Sequence, residues 1–474
     1  MSFSAWAGRR WARLRRTASR KFRQLRRLSG KSLRLTLLLC GAALVALVSL
    51  GFAWLADLAL EWNQAWTQAH PWAVFVVLPF GLAGLRALTM RWAPNASGSG
   101  IPQVIAGLSL PPGAGQSGLV SLGQTLWKIP LTFGALLAGA SVGREGPSVQ
   151  VGASVMLAWG RYCQRHVPTL RGFRSNELIA AGAAGGLAAA FNAPLAGVVF
   201  AIEELGRGAV VRWDRLVLIG VLAAGFMVVA LQGNNPYFGA FGAVSPPDRV
   251  WVWVLVCGLV NGVLGGLFAR MLGKGAAGLA PRAWRNGIRR HPLATAFCMG
   301  LIVAALGWAT GGAVYGTGYG HAAPLLAGHP PDQGGFGLAK LAATVASYLA
   351  GIPGGIFTPA LTTGAGIGEQ IWQWTGGAVD QRLLVLVSMC AFLAAATQSP
   401  LTASVVVMEM TGSQPMLFWL LAAGLLASLV SRQFCPLPFY HLAARRFRQQ
   451  AAPAAPAQAP AAGPAPGPGG GGRR

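Results

Sequence analysis

Leu35-Thr-Leu-Leu-Leu-Cys-Gly-Ala-Ala-Leu-Val-Ala-Leu-Val-Ser-Leu-Gly-Phe-Ala-Trp-Leu-Ala56 carries no charged side chain. At about 1.5 Å rise per residue, a helix of this length crosses a hydrocarbon core of roughly 30 Å. Comparable apolar stretches recur near 72–90, 214–232, 250–269, 293–309, 382–397 and 416–431. The whole chain of 474 residues is only 11% charged, against about 25% in an ordinary soluble domain. The sequence predicts an all-α polytopic membrane protein.

The segment before the first span sets the orientation. Between Arg9 and Arg34 there are twelve Arg or Lys and no acid. A basic run beside a first span is what the positive-inside rule expects of a cytoplasmic N-terminus, and it suits contact with anionic headgroups. The run therefore accounts for much of the +26 formal charge without nucleic acid as a partner. It is too long and too arginine-rich for a signal peptide and lacks a small-residue cleavage site. The six cysteines are scattered among apolar spans, without metal-ligand spacing or a disulfide framework. No phosphate loop or catalytic cluster is visible, so neither a cofactor, a metal nor an enzyme activity is expected.

Downstream, the chain divides into a basic arm (1–33), a first membrane half (34–232), an inter-repeat loop (233–247), a second half (248–433), a terminal helix on the cytoplasmic side (434–449) and an Ala/Pro/Gly tail (450–474). The tail cannot bury a core and is expected to be disordered. The two halves are related. Ala188-Ala-Ala-Phe-Asn-Ala-Pro194-Leu195, through Glu203 to Gly206, aligns without gaps on Ala394-Ala-Ala-Thr-Gln-Ser-Pro400-Leu401, through Glu409 to Gly412. Gly143-Arg-Glu-Gly-Pro147 and Gly355-Ile-Phe-Thr-Pro359 form a second pair at nearly the same offset. Transporters built from such repeats hold substrate where the halves meet, near mid-membrane.

Three apolar regions are interrupted: Gly98-Ser-Gly-Ile-Pro102, Gly143-Arg-Glu-Gly-Pro147 and Gly351-Ile-Pro-Gly-Gly-Ile-Phe-Thr-Pro359. Unpaired backbone amides cost several kcal/mol in lipid, so broken helices survive only where they line a cavity. A helix N-terminus offers free N–H groups and a partial positive charge. Three breaks, each followed by a helix, predict N-termini converging on one anion. Glu145 then stands out, because an acid inside an apolar region marks a functional site by default. At a helix N-terminus the dipole favours its charged form. A carboxylate there competes with an anion and lets go on protonation, which couples anion movement to proton movement.

These segments, in this order and at these separations, resemble the signatures of CLC chloride channels and transporters over roughly residues 34–448. The stretch Phe191-Asn-Ala-Pro-Leu-Ala-Gly197, the pair Glu203-Glu204 and Tyr440 belong to the same resemblance. It implies a CLC-like inverted repeat in a homodimer with one pathway per subunit. By resemblance, Glu145 is the external gate. The hydroxyls of Ser99 and Tyr440 and the backbone N–H groups of Ile356 and Phe357 hold the chloride. Neither hydroxyl brings a full positive charge, which suits binding weak enough to release. Glu204 falls at the internal proton-transfer position of the exchangers, where many channels carry an apolar residue. Chloride/proton antiport is therefore the expected function, with a passive gated chloride channel as the alternative and a membrane-embedded enzyme or receptor as a remote one. Glu203 reads as structural, given its repeat mate Glu409. The family's fluoride exporters differ at the gate and at the Ser and Tyr sites, so chloride is the expected anion.

The sequence also departs from the family. Bacterial members carry an acid after the Gly-Ser-Gly-Ile-Pro segment that can pair with an upstream lysine. Here Gln103 and Ile105 stand in those places while Lys128 remains, leaving its partner illegible. Beyond residue 449 the chain is low in complexity and does not resemble the nucleotide-sensing domains of eukaryotic members. Both termini are expected in the cytoplasm, and the compact build suggests a bacterial inner membrane.

Overall fold

The computed structural model describes residues 3–166, 174–207, 215–239, 249–329, 334–377 and 379–451. The expected inter-repeat loop is described only up to residue 239, and the tail from 452 onward lies outside the described residues. Among the described residues there are nineteen α-helices and no β-strand. The first, Phe3–Ala69, runs unbroken from the basic arm through the apolar stretch quoted above. No proline interrupts it, and Leu, Ala and Arg are good helix formers.

Among the described residues, five helices are long and apolar enough to cross a membrane: Ser32–Ala69, Pro71–Trp92, Val250–Leu279, Pro292–Ala309 and Gln414–Phe434. Val250–Leu279 has 30 residues. A kink at Gly275, where φ is positive, divides it, and the part before the kink is by itself long enough to cross a hydrocarbon core of roughly 30 Å. Large apolar side chains such as Trp54, Phe80, Leu126 and Phe418 lie exposed on the outside of the bundle, a surface suited to lipid rather than water. The run near 382–397 behaves differently. It forms Gln381–Thr397, where every residue from Leu383 to Thr397 is buried. A helix apolar on all sides belongs in a protein interior; this one is shorter than a full span and stops inside the molecule.

The interior helices pack through glycine. A Cβ on Gly152 would strike the Gly182 carbonyl, and one on Gly186 would strike that of Ser148, so Glu145–His166 lies backbone to backbone against Ser175–Phe191. In the second half, Gly364 meets Ser388 in the same way and brings Phe357–Trp374 onto Gln381–Thr397. Small residues let membrane helices approach closely where no hydrophobic force distinguishes protein from lipid.

The repeat is visible in hydrogen bonds as well. Lys128 and Lys340 lie fifteen residues before Gly143 and Gly355 respectively. Lys128 Nζ donates to the carbonyls of Ala96 (2.7 Å) and Gly98 (2.6 Å). Lys340 Nζ donates to those of Val314 (2.9 Å) and Gly316 (2.7 Å). The partner of Lys128 is thus a backbone turn rather than an acid. Each lysine braces a Gly-X-Gly turn with positive φ at both glycines: Gly98 and Gly100 in one half, Gly316 and Gly318 in the other.

Candidate functional site

The three interrupted segments meet as bare backbone. Gly143 N–H donates to Gly355 O (2.7 Å), and Gly355 N–H returns to Gly143 O (2.6 Å). Gly98 N–H donates to Ile352 O, and Gly354 N–H to Gly98 O. A Cβ on Gly146 would collide with the Ser99 hydroxyl, and one on Gly100 would press on the Gly146 carbonyl. Glycine is required at these places because the helix starts could not otherwise approach one another. Three helices begin at this junction: Ile101–Ser109, Glu145–His166 and Phe357–Trp374. Their unsatisfied N-terminal amides and dipoles make a region of positive potential without a cation.

Ser99, Glu145, Ile356, Phe357 and Tyr440 are all buried. The Tyr440 hydroxyl lies within electrostatic reach of Ser99, Glu145 and Glu204, and Glu145 within reach of Thr358. None of Ser99 Oγ, Tyr440 Oη, Thr358 Oγ1 or the two Glu145 carboxylate oxygens makes a hydrogen bond of standard geometry. Buried polar atoms are usually paired, so a cluster of orphaned hydroxyls at a junction of helix N-termini suits an anion. Phe357 stacks obliquely on Phe191, centroids 5.2 Å apart, which connects the junction to the Ser175–Phe191 helix.

The residue before the gate candidate has its own partner. Arg144 Nη1 donates to Asp57 Oδ1 (2.5 Å) and Ala53 O (2.6 Å), both on the first helix. Glu145 is therefore not consumed in a salt bridge with its neighbour.

Glu204 sits away from the junction, in a π-helical turn, Ala201–Leu205, that continues helix Pro194–Phe200. Its side chain is 1% exposed. Ser399 Oγ donates to one carboxylate oxygen, while Oε1 has no hydrogen-bond partner. Turns of this type widen the helix and are frequent at functional sites. Glu203 points elsewhere, onto the start of helix Pro400–Thr411, through the amides of Leu401 (3.2 Å) and Thr402 (2.6 Å).

Two cavities of opposite charge character lie in the molecule, and one of them reaches the junction. A cavity of about 490 Å³ reaches Ser99 and carries Arg86 and Arg446 with no acid on its wall. Arg86 donates to Gly351 O (2.9 Å) and Arg446 to Gly273 O (3.0 Å). A second cavity, of about 410 Å³, is lined by Asp57, Glu61, Thr317 and His321 and by no Lys or Arg.

Residues 81–432 match the family described as the voltage gated chloride channel. This chain belongs to that family, the CLC proteins. Among relatives of this CLC protein is an H(+)/Cl(-) exchange transporter ClcA of Cronobacter sakazakii, 31% identical over 457 residues, covering 84% of this chain and 88% of its own. Another, of Vibrio cholerae, is 29% identical over 379 residues, covering 74% and 75%. A solved structure of a slow cyanobacterial Cl-/H+ antiporter aligns at TM-score 0.71 with 25% identity, over 88% of this chain and 98% of that one. A CLC-type fluoride/proton antiporter has the same fold at TM-score 0.68 and 22% identity, over 87% and 97%.

Within this CLC protein the structure brings together Ser99, Glu145, Ile356, Phe357 and Tyr440, and sets Glu204 apart. Sequence reasoning missed Thr358, Lys340, the Gly316-Thr-Gly318 turn and His441. The repeat offset, applied to Lys128, leads directly to Lys340. No sequence signal leads to His441, whose contact depends on how the terminal helix docks.

Proposed function

We propose that this protein is a chloride/proton antiporter in which Glu145 is the external gate and Glu204 the internal proton-transfer group. The observation that carries the reading is Glu145 itself: buried, at the first position of a helix, beside the hydroxyls of Thr358, Ser99 and Tyr440, with no hydrogen bond of standard geometry at either carboxylate oxygen or at these hydroxyls. A charged carboxylate and a chloride ion are attracted to the same amides and hydroxyls. Protonation removes the carboxylate's claim, so each release of the gate carries a proton. The relatives named as H(+)/Cl(-) exchange transporters support the substrates.

Ser99, Tyr440 and the backbone N–H groups of Ile356 and Phe357 hold the chloride in this reading. The acid-free cavity with Arg86 and Arg446 is its cytoplasmic entrance, where a positive wall raises local anion concentration. Arg282, Arg285, Arg289 and Arg290 lie between the helices ending at Leu279 and beginning at Pro292, and the contact of Arg446 with Gly273 O brings Arg445, Arg446 and Arg448 of the terminal helix to the same end of the bundle. That supports cytoplasmic termini, and the bacterial relatives support an inner membrane. The protein works as a homodimer with one pathway in each subunit, as the family does.

Reconstitution in liposomes with a pH electrode tests the reading. A chloride gradient should drive proton uptake against no imposed pH gradient. Chloride flux without proton movement would establish a passive channel instead.

A further inference from the structure

Glu204 is almost wholly buried, and a buried acid that carries protons needs a route to water. One side chain stands in that route. His441 follows Tyr440 on the terminal helix Phe439–Ala451. Its Nε2 lies 3.2 Å from the Glu204 carbonyl oxygen and 3.6 Å from Glu204 Oε1, the carboxylate oxygen without a hydrogen-bond partner. The imidazole is 20% exposed where the carboxylate is 1% exposed. The histidine thus lies between the buried acid and the cytoplasmic surface.

We propose that His441 is the proton relay that connects Glu204 to cytoplasmic water. The inference rests on the reading of Glu204 as a proton carrier and adds the residue that loads it. A carbonyl oxygen can only accept, so the contact with Glu204 O fixes the resting tautomer as Nε2–H, with Nδ1 an acceptor. Water delivers one proton to Nδ1 and gives an imidazolium. A small rotation of the ring brings Nε2 onto Oε1, and the Nε2 proton passes to the carboxylate. One proton enters and one leaves, Glu204 becomes neutral, and the imidazole returns to charge zero as the Nδ1–H tautomer. Exchange with water resets it, and the steps run backward when protons leave.

The surroundings suit a transient charge. Arg207, in the turn after Leu205, and Arg448, on the histidine's own helix, act on the ring electrostatically; Arg207 and Glu203 act on Glu204. Two cations near the ring favour passing the proton on rather than holding it, and Glu204 is the acceptor in reach. Ser399 holds the other carboxylate oxygen, which leaves Oε1 as the oxygen facing the relay.

The test uses the full-length protein in liposomes, with proton and chloride fluxes recorded together. His441→Ala should slow proton flux at neutral pH about tenfold or more. Free histidine in the bathing solution, which brings an imidazole without crossing the bilayer, should restore much of it, and glycylglycine should not. His441→Gln can keep a side-chain donor near the Glu204 carbonyl yet cannot relay, so it should be as slow as His441→Ala. Wild-type proton flux in His441→Gln would reduce the residue to a structural contact and overturn the proposal. Slow flux in His441→Ala without rescue would overturn it as well. Glu204→Gln separates the two layers: intact proton flux in that variant removes the carrier itself, whereas lost flux there with normal flux in both His441 variants removes only the relay.

Discussion

Glu203 and Glu409 hold each other's repeat. Glu203 accepts the amides of Leu401 and Thr402 at the start of helix Pro400–Thr411, and Glu409 accepts those of Leu195 (3.1 Å) and Ala196 (2.6 Å) at the start of helix Pro194–Phe200. Each acid ends a helix of one half and caps the matching helix of the other. The two crossed pairs relate the halves by a pseudo-two-fold operation, and each carboxylate satisfies amides that a helix start leaves orphaned.

Removing either acid should therefore cost stability rather than coupling. Glu203→Ala or Glu409→Ala leaves two amides, one exposed and one part-buried, without their acceptor, a loss of about 1–2 kcal/mol. Thermal unfolding in detergent should move down for each. In liposomes the surviving Glu203→Ala protein should keep its ratio of chloride to protons. Glu204→Gln, one residue on, should show the reverse: nearly normal melting and chloride movement uncoupled from protons.

Chloride flux through the wild type should rise as pH falls. Protonation makes Glu145 neutral and ends its competition with chloride for the amides of the junction, so lowering pH opens the site. Glu145→Ala has no carboxylate to titrate. Its chloride flux should be flat with pH and carry no protons. A pH-dependent, proton-coupled Glu145→Ala would remove the gate from this position.

In the proposed antiporter, Ser99 and Tyr440 each offer one hydroxyl to the anion. A hydrogen bond to a charged group contributes about 1.5–3 kcal/mol, so Ser99→Ala and Tyr440→Phe should each weaken chloride binding roughly ten- to a hundredfold. Calorimetric titration of chloride into the detergent-solubilised variants measures this directly. Unchanged affinity in both would leave the orphaned hydroxyls without a ligand.

Lys128 and Lys340 test how far the site depends on the braces behind the turns. Lys128→Met leaves the carbonyls of Ala96 and Gly98, on either side of the turn that carries Ser99, without their donor; Lys340→Met does the same to the carbonyls of Val314 and Gly316. Both variants should be less stable. Only Lys128→Met should also lower chloride affinity, because its turn is the one that carries Ser99. Equal affinities in the two variants would make Lys128 a structural brace alone.

Much of this was legible in the chain alone. The missing charge announced the membrane, since a bilayer excludes ions wherever they are unpaired. The Gly and Pro breaks announced helix starts at an apolar depth, because only a cavity tolerates open backbone there. The repeated Pro-to-Glu spacing marked Glu203 as structural, and its partnership with Leu401 and Thr402 gives that role a mechanism. The partner of Lys128 was not legible. Sequence reasoning looked for an acid, and the structure supplies two carbonyls, which leave no mark in the choice of side chain.

By itself, then, the sequence determined the class, the two related halves and the placing of Glu145 at a helix start inside an apolar region. Those follow from composition and short-range order: apolar length, helix-breaking residues, and a carboxylate placed where a dipole favours it. The tertiary structure decided which groups stand together. Ser99 and Tyr440 are separated by most of the chain, and only the docking of the terminal helix brings their hydroxyls to one junction and His441 to the open oxygen of Glu204. Such contacts depend on helix packing in three dimensions, where a rotation of one helix by a fraction of a turn exchanges one neighbour for another, and no spacing along the chain records that angle.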